Sequence, residues 1–138
     1  MIKLVVGVMG TGKTKMLINL ANQASIDSKG CVVCVERGKK LTFDIKHTVR
    51  LIDTNSYEIT TADELYGFIS GICANNYDVT DFFIDSALKI CSNDVESFIR
   101  FIYKLDKMLE NNHINCLITS SIDIDSVPDA LQKFIYHH

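Results

Sequence analysis

A chain of 138 residues with 47% hydrophobic residues, 22% charged residues and one proline is long enough to bury one core, and this composition excludes disorder and a multi-domain build. The formal charge of -3 argues against a dedicated nucleic-acid binder, whose footprint is strongly basic, though it leaves room for a local basic patch. No run approaches the roughly 18 apolar residues of a membrane span, the stretch from Ile2 to Val8 runs into glycines, and five scattered cysteines suit reduced thiols. The expectation is one cytoplasmic domain over residues 1–138, with no membrane partner.

Short β-rich runs alternate with segments of helical period, which predicts an α/β fold: a mainly parallel central sheet with helices on both faces, three layers in all. Residues 2–6 read as the first strand. From Lys13 to about Ser28, Leu17, Leu20, Ala21 and Ala24 recur at helical spacing, and Gly30 follows as a stop. Residues 31–35 read as a second buried strand. The stretch 38–57 is irregular and basic, with Lys39, Lys40, Lys46, His47 and Arg50, a strand expected over 48–52 and a turn at 53–55. Thr61 and Glu64 have capping-box spacing ahead of Leu65, Phe68, Ile69 and Ile72, a second helix ending near Asn75 and Asn76. Residues 81–85, Asp-Phe-Phe-Ile-Asp, read as a short buried strand ending in a carboxylate. Asn93 with Glu96 is expected to cap a long helix carrying Val95, Phe98, Ile99, Ile102 and Leu109. A strand over 116–119 follows, and Ser126, Pro128 and Asp129 open a last helix with Val127, Leu131, Phe134 and Ile135 inward. The terminal His137 and His138 are given no metal role.

Gly7-Val8-Met9-Gly10-Thr11-Gly12-Lys13-Thr14 satisfies G-x-x-x-x-G-K-[ST] in full, between an expected strand and an expected helix. Glycines let backbone N–H groups turn inward around a phosphate, and the helix N-terminus adds partial positive charge. The phosphate-binding set is therefore Gly7, Met9, Gly10, Thr11, Gly12, Lys13 and Thr14, with Lys13 reaching the outer phosphates. Thr14 offers a hydroxyl to magnesium, and Asp85, delivered to the carboxyl edge of the sheet, is its acidic partner. Cys31 and Cys34 have the spacing of a metal pair, but on a strand they face opposite ways and read as two buried thiols. The basic segment 37–57 reads as a solvated loop, or as a contact for a polyanion, a protein partner or a neighbouring subunit's phosphates.

The loop, the Asp85 strand and the polar strand end Thr119-Ser120-Ser121 together resemble the RecA-type group of P-loop NTPases over most of the chain. The spacing Gly7, Met9, Gly12, Lys13, Thr14, the pair Ile84-Asp85, and Ser121-Ile122-Asp123-Ile124-Asp125 resemble the nucleotide-binding domain of the zinc-lasso thymidine kinases. Ser86 stands where that family has a glutamate base, and its paired-cysteine lasso has no counterpart. The pair Asp85-Ser86 and the position of Glu36, at the end of the second strand, resemble RecA and KaiC-like ATPases, in which a glutamate there orients the attacking water. This resemblance implies a three-layer P-loop NTPase fold and a catalytic set of Lys13, Glu36 and Asp85, with Thr119 to Ser121 near the terminal phosphate. A solvated Glu36 paired with Arg37 or Lys39 is the alternative. The expected function is that of an ATPase, magnesium-dependent ATP binding with slow hydrolysis. The alternatives are a non-hydrolysing nucleotide sensor or assembly module, which could form a homo-oligomer, and a small nucleoside or nucleotide kinase.

Overall fold

The computed structural model describes residues 1–137; His138, half of the terminal histidine pair, lies outside them. Five strands form one all-parallel sheet: β1 (Lys3–Val6), β2 (Cys31–Glu36), β3 (Arg50–Asp53), β4 (Val79–Ile84) and β5 (Asn115–Ser120), in spatial order β1-β5-β4-β2-β3. The helices are α1 (Lys13–Asp27), α2 (Ala62–Asn75), the single turn α3 (Ala87–Ile90) and α4 (Val95–Asn111). The α/β class and the parallel sheet agree with the periodicity.

Side chains alternate across the strands, so each one feeds two cores. On one face Leu4, Val33, Val35, Phe82, Ile84 and Ile118 pack with α2 through Leu65 and Ile69, and with α4 through Phe98, Ile102 and Leu105. On the other, Val5, Val32, Cys34, Phe83 and Leu117 pack with Leu17 and Ala21 of α1 and with Leu41, Ile45 and Val49. The second face is thus only half helical, because the 37–49 loop supplies the remaining cover. Cys31 packs on the first face and Cys34 on the second, so the Cys-x-x-Cys spacing brings no thiol pair together.

The Thr61–Glu64 capping box forms in both directions, as its spacing predicts. Five local expectations shift. The cap of α4 is Asp94, whose side chain accepts from Ser97 N at 3.2 Å, whereas Asn93 sits in a left-handed turn at φ 58°. Strand β4 runs Val79–Ile84 and ends one residue before Asp85, and β3 starts two residues later than expected. The turn at 53–55 becomes a 3-10 helix over Thr54–Tyr57. The expected last helix is instead two 3-10 turns, Ile124–Ser126 and Asp129–Phe134. Short segments carry an unfavourable nucleation term, and here the chain must reach the sheet edge: Ile135 bridges Leu4, and Tyr136 N donates to Leu4 O at 2.8 Å.

Candidate functional site

β1 delivers the chain to the carboxyl edge of the sheet, where residues 7–12 turn it back into α1. Three glycines carry that turn, with φ of 146° at Gly7, 86° at Gly10 and 85° at Gly12, all disfavoured by a Cβ. Gly12 is the N-cap residue of α1 and offers no side-chain cap, so the first amides of the helix are left for an external acceptor. The loop is braced from outside by Gly7 N donating to Ile122 O at 2.8 Å and from within by Thr11 Oγ1 donating to Val8 O at 2.8 Å.

Lys13 folds back over this loop, its Nζ donating to Val8 O at 2.9 Å and, more weakly, to Thr11 Oγ1 at 3.4 Å. Partial burial lowers its pKa from the usual lysine value, and the nearby Asp85 carboxylate acts in the opposite sense. A mobile ammonium parked on a neutral carbonyl is free to exchange that contact for an anion, which attracts it more strongly.

Asp85 lies directly beyond β4, its N–H donating to Val35 O at 2.9 Å, and it is only 8% exposed. Thr14 Oγ1 donates to Asp85 Oδ1 at 3.2 Å and stands 3.4 Å from Oδ2. Thr119 Oγ1 donates to Asp85 Oδ1 at 2.7 Å while accepting from Ser86 N at 2.8 Å. The strand register explains this: Ile84 pairs with Ile118, so the next residues of the two parallel strands, Asp85 and Thr119, meet at the sheet edge. Ser86 adopts φ 54°, a left-handed conformation for a non-glycine residue.

A cleft of about 570 Å³ opens above these groups, lined by Met9, Gly10, Gly12, Lys13, Thr14 and Asp85 and also by Lys15, Lys40, Lys89, Asn93 and Ser121. Gly7 and Thr11 line a neighbouring cavity of about 350 Å³ on the far side of Lys13, with Met16, Ile124 and Tyr136. Of the strand end Thr119-Ser120-Ser121, Thr119 holds the carboxylate, Ser120 is fully buried with its hydroxyl unpartnered among the described residues, and Ser121 reaches the cleft.

Glu36 is placed differently from a water-orienting base. It is 3% exposed and absent from the cleft wall, and its Oε1 and Oε2 accept from Lys40 N at 3.1 Å and Leu41 N at 3.0 Å. Nor is it the solvated partner of Arg37 or Lys39. Burial raises its pKa, with the bonds from Leu41 and Lys40 working the other way. Its effect is to turn the chain so that Lys40 enters the cleft. In the sequence Lys40 is one cation of a basic run; the feature that marks it out is its place four residues after the strand-end Glu36 that binds its amide. Lys89 follows the left-handed Ser86, and Asn93, expected as a helix cap, lies in a left-handed turn of its own and lines the cleft instead; no short-range pattern marks either turn.

No family model matches the sequence, and no curated protein matches it either. No group of three or more metal-ligating side chains is present among the described residues. No helix among them is long and apolar enough to cross a membrane.

Proposed function

We propose that this chain binds ATP together with magnesium and hydrolyses it slowly, on a three-layer P-loop NTPase fold of the RecA type. The observation that carries the reading is the convergence of Lys13, Thr14 and Asp85 on one cleft at the uncapped N-terminus of α1. The loop amides and helix end receive the phosphates, and Lys13 leaves Val8 O for the outer phosphate oxygens. Lys40, Lys15 and Lys89 add further positive charge around the same cleft.

The donor set fits magnesium. This ion is held by one or two protein oxygens plus phosphate oxygens and keeps several waters, so it needs no three-residue cage. Thr14 and Asp85 present a hydroxyl and a carboxylate 3.2 Å apart, and both line the cleft. When bound, magnesium would neutralise charge on the phosphoryl oxygens. Thr119 fixes the Asp85 carboxylate in place for that contact.

A non-hydrolysing nucleotide sensor is the second reading, favoured by Glu36. Both of its oxygens are committed to backbone amides, which leaves the cleft without a second carboxylate to orient water. Calorimetric titration with ATP, ADP and GTP in magnesium, repeated on Lys13→Ala and run beside a phosphate-release assay, separates the readings. ATP binding that the variant loses, with phosphate release, supports the ATPase. Binding without release supports the sensor, and absence of binding overturns both.

A further inference from the structure

The charge of this chain is unevenly distributed. Residues 37–50 hold five cations against one carboxylate, a net of +4, while the rest of the chain holds nine cations against sixteen carboxylates, a net of -7. A whole-chain charge of -3 conceals this basic segment, and a local field of this kind attracts polyanions.

The segment is also held rigidly. Asn22 clamps it from α1, donating to Asp44 O at 2.9 Å and accepting from Lys46 N at 2.8 Å. Glu36 holds the amides of Lys40 and Leu41, and Asp53 Oδ1 accepts from Gly38 N at 2.7 Å. Leu41, Ile45 and Val49 anchor it in the core. On this fixed frame Phe43 is 99% exposed, buried against nothing. The same segment lines a groove of about 490 Å³ through Lys39, Thr42, Lys46, His47 and Arg50, with Tyr57 also on its wall; Phe43 follows Thr42 in the chain. Tyr57 is 58% exposed with its ring backed by Phe68, 5.6 Å between centroids. The groove's two carboxylates, Glu36 and Asp53, are both engaged by backbone amides.

We infer that this face binds single-stranded nucleic acid. Lys39, Lys46 and Arg50 contact backbone phosphates, and Phe43 and Tyr57 offer rings on which unpaired bases stack. Cations interleaved with exposed aromatics along a groove are what sequence-tolerant single-strand binding uses. The bases of a duplex are already stacked on one another, so a duplex gains the charge contacts alone. Because the loop is pre-ordered, binding loses little conformational freedom. The site is separate from the nucleotide cleft and does not depend on the ATP reading.

Fluorescence anisotropy of the whole chain with a labelled oligo-dT of about 20 nucleotides tests this. Saturable binding is expected that weakens with salt, with a log–log slope near -2, the value for about three neutralised phosphates on a single strand. Phe43→Ala, which removes a fully exposed ring and should leave the circular dichroism spectrum unchanged, is expected to weaken binding roughly 5- to 100-fold. Lys39→Glu with Lys46→Glu should abolish it. Lys13→Ala should leave it intact, so failure of the ATP reading and failure of this one are distinguishable. Absence of binding at about 50 mM salt overturns the inference. Binding that Phe43→Ala does not change, and that inorganic polyphosphate displaces equally well, also overturns it in favour of an unspecific polyanion contact.

Discussion

Thr14 and Asp85 stand 71 positions apart in the sequence, yet the Thr14 hydroxyl donates to Asp85 Oδ1 at 3.2 Å. Neither residue is near the other until β4 and β1 lie in one sheet with β5 between them. The contact brings a hydroxyl at the start of α1 to a buried carboxylate, two hard oxygens at the floor of one cleft.

If that pair organises magnesium beside bound nucleotide, Asp85→Asn should separate metal dependence from phosphate binding. The amide keeps the shape and one oxygen but loses the charge. ATP affinity in magnesium is expected to fall about 10- to 100-fold, the range seen when a group supporting a metal site is replaced. Affinity in the presence of a chelator should change little. Calorimetry with and without magnesium decides the point, and equal losses in both would remove Asp85 from the metal role.

Thr119 is the residue that holds Asp85 in position, and its replacement should be felt in stability. Thr119→Val keeps the shape but leaves the Ser86 N–H without its acceptor and withdraws a donor from Asp85 Oδ1. Leaving buried polar groups unpaired costs about 1–3 kcal/mol. Urea unfolding should show a lower midpoint, and Thr119→Ser, which restores the hydroxyl, should recover most of the loss. A valine variant as stable as the parent would show that solvent replaces the lost bonds.

The parts of this arrangement visible in the sequence are those whose cause is local. Gly7 to Thr14 lie in one stretch, and the glycines there are required by the positive φ at Gly7, Gly10 and Gly12. Thr61 and Glu64 cap α2 from three residues apart. What the sequence conceals depends on tertiary register. Thr119 meets Asp85 because Ile84 and Ile118 pair, and no short-range pattern encodes that pairing. Glu36 follows the same logic. Its position at a strand end suits a base, but the amides of Lys40 and Leu41 take both oxygens, and only the path of the following loop reveals this. The C-terminal apolar spacing of Leu131 and Phe134 correctly gives inward residues but the wrong helix, because the bridge from Ile135 to Leu4 draws the chain to the sheet edge.

Glu36 should leave a signature in the pH dependence of stability. Burial raises its pKa in the folded chain above the ordinary carboxylate value. For a group whose folded pKa is raised, the stabilising contribution is fully present below the unfolded pKa and is lost as pH rises through the folded pKa. The window therefore opens just above the usual glutamate range. Glu36→Gln removes this titration, although its amide can serve only one of the two N–H groups and should lower stability overall by about 1 kcal/mol. Urea midpoints from about pH 4 to pH 7 should therefore show a deficit for the variant that narrows as pH rises. A deficit that stays constant or widens would mean that the two backbone bonds outweigh burial.

Gly30 and Gly67 make opposite predictions from the same substitution. At the start of β2, where the β2–β4 register shifts between Cys31 and Val32, a Cβ on Gly30 would lie 2.0 Å from Asp78 O, a carbonyl already accepting from Cys31 N at 2.7 Å. That obstacle is backbone rather than the end of a flexible side chain, so the strand entrance itself must move. Gly30→Ala should cost about 1–3 kcal/mol, the range for overpacking. Gly67 lies inside α2 with nothing within 4 Å of an added Cβ. There alanine lowers the entropy lost on folding and should stabilise by about 0.5–1 kcal/mol. Thermal and urea unfolding of the two single variants checks both signs in one experiment. A Gly30→Ala variant as stable as the parent would show that the 78–79 strand entrance shifts freely, and the β2–β4 pairing would then be looser at that end than its hydrogen bonds indicate.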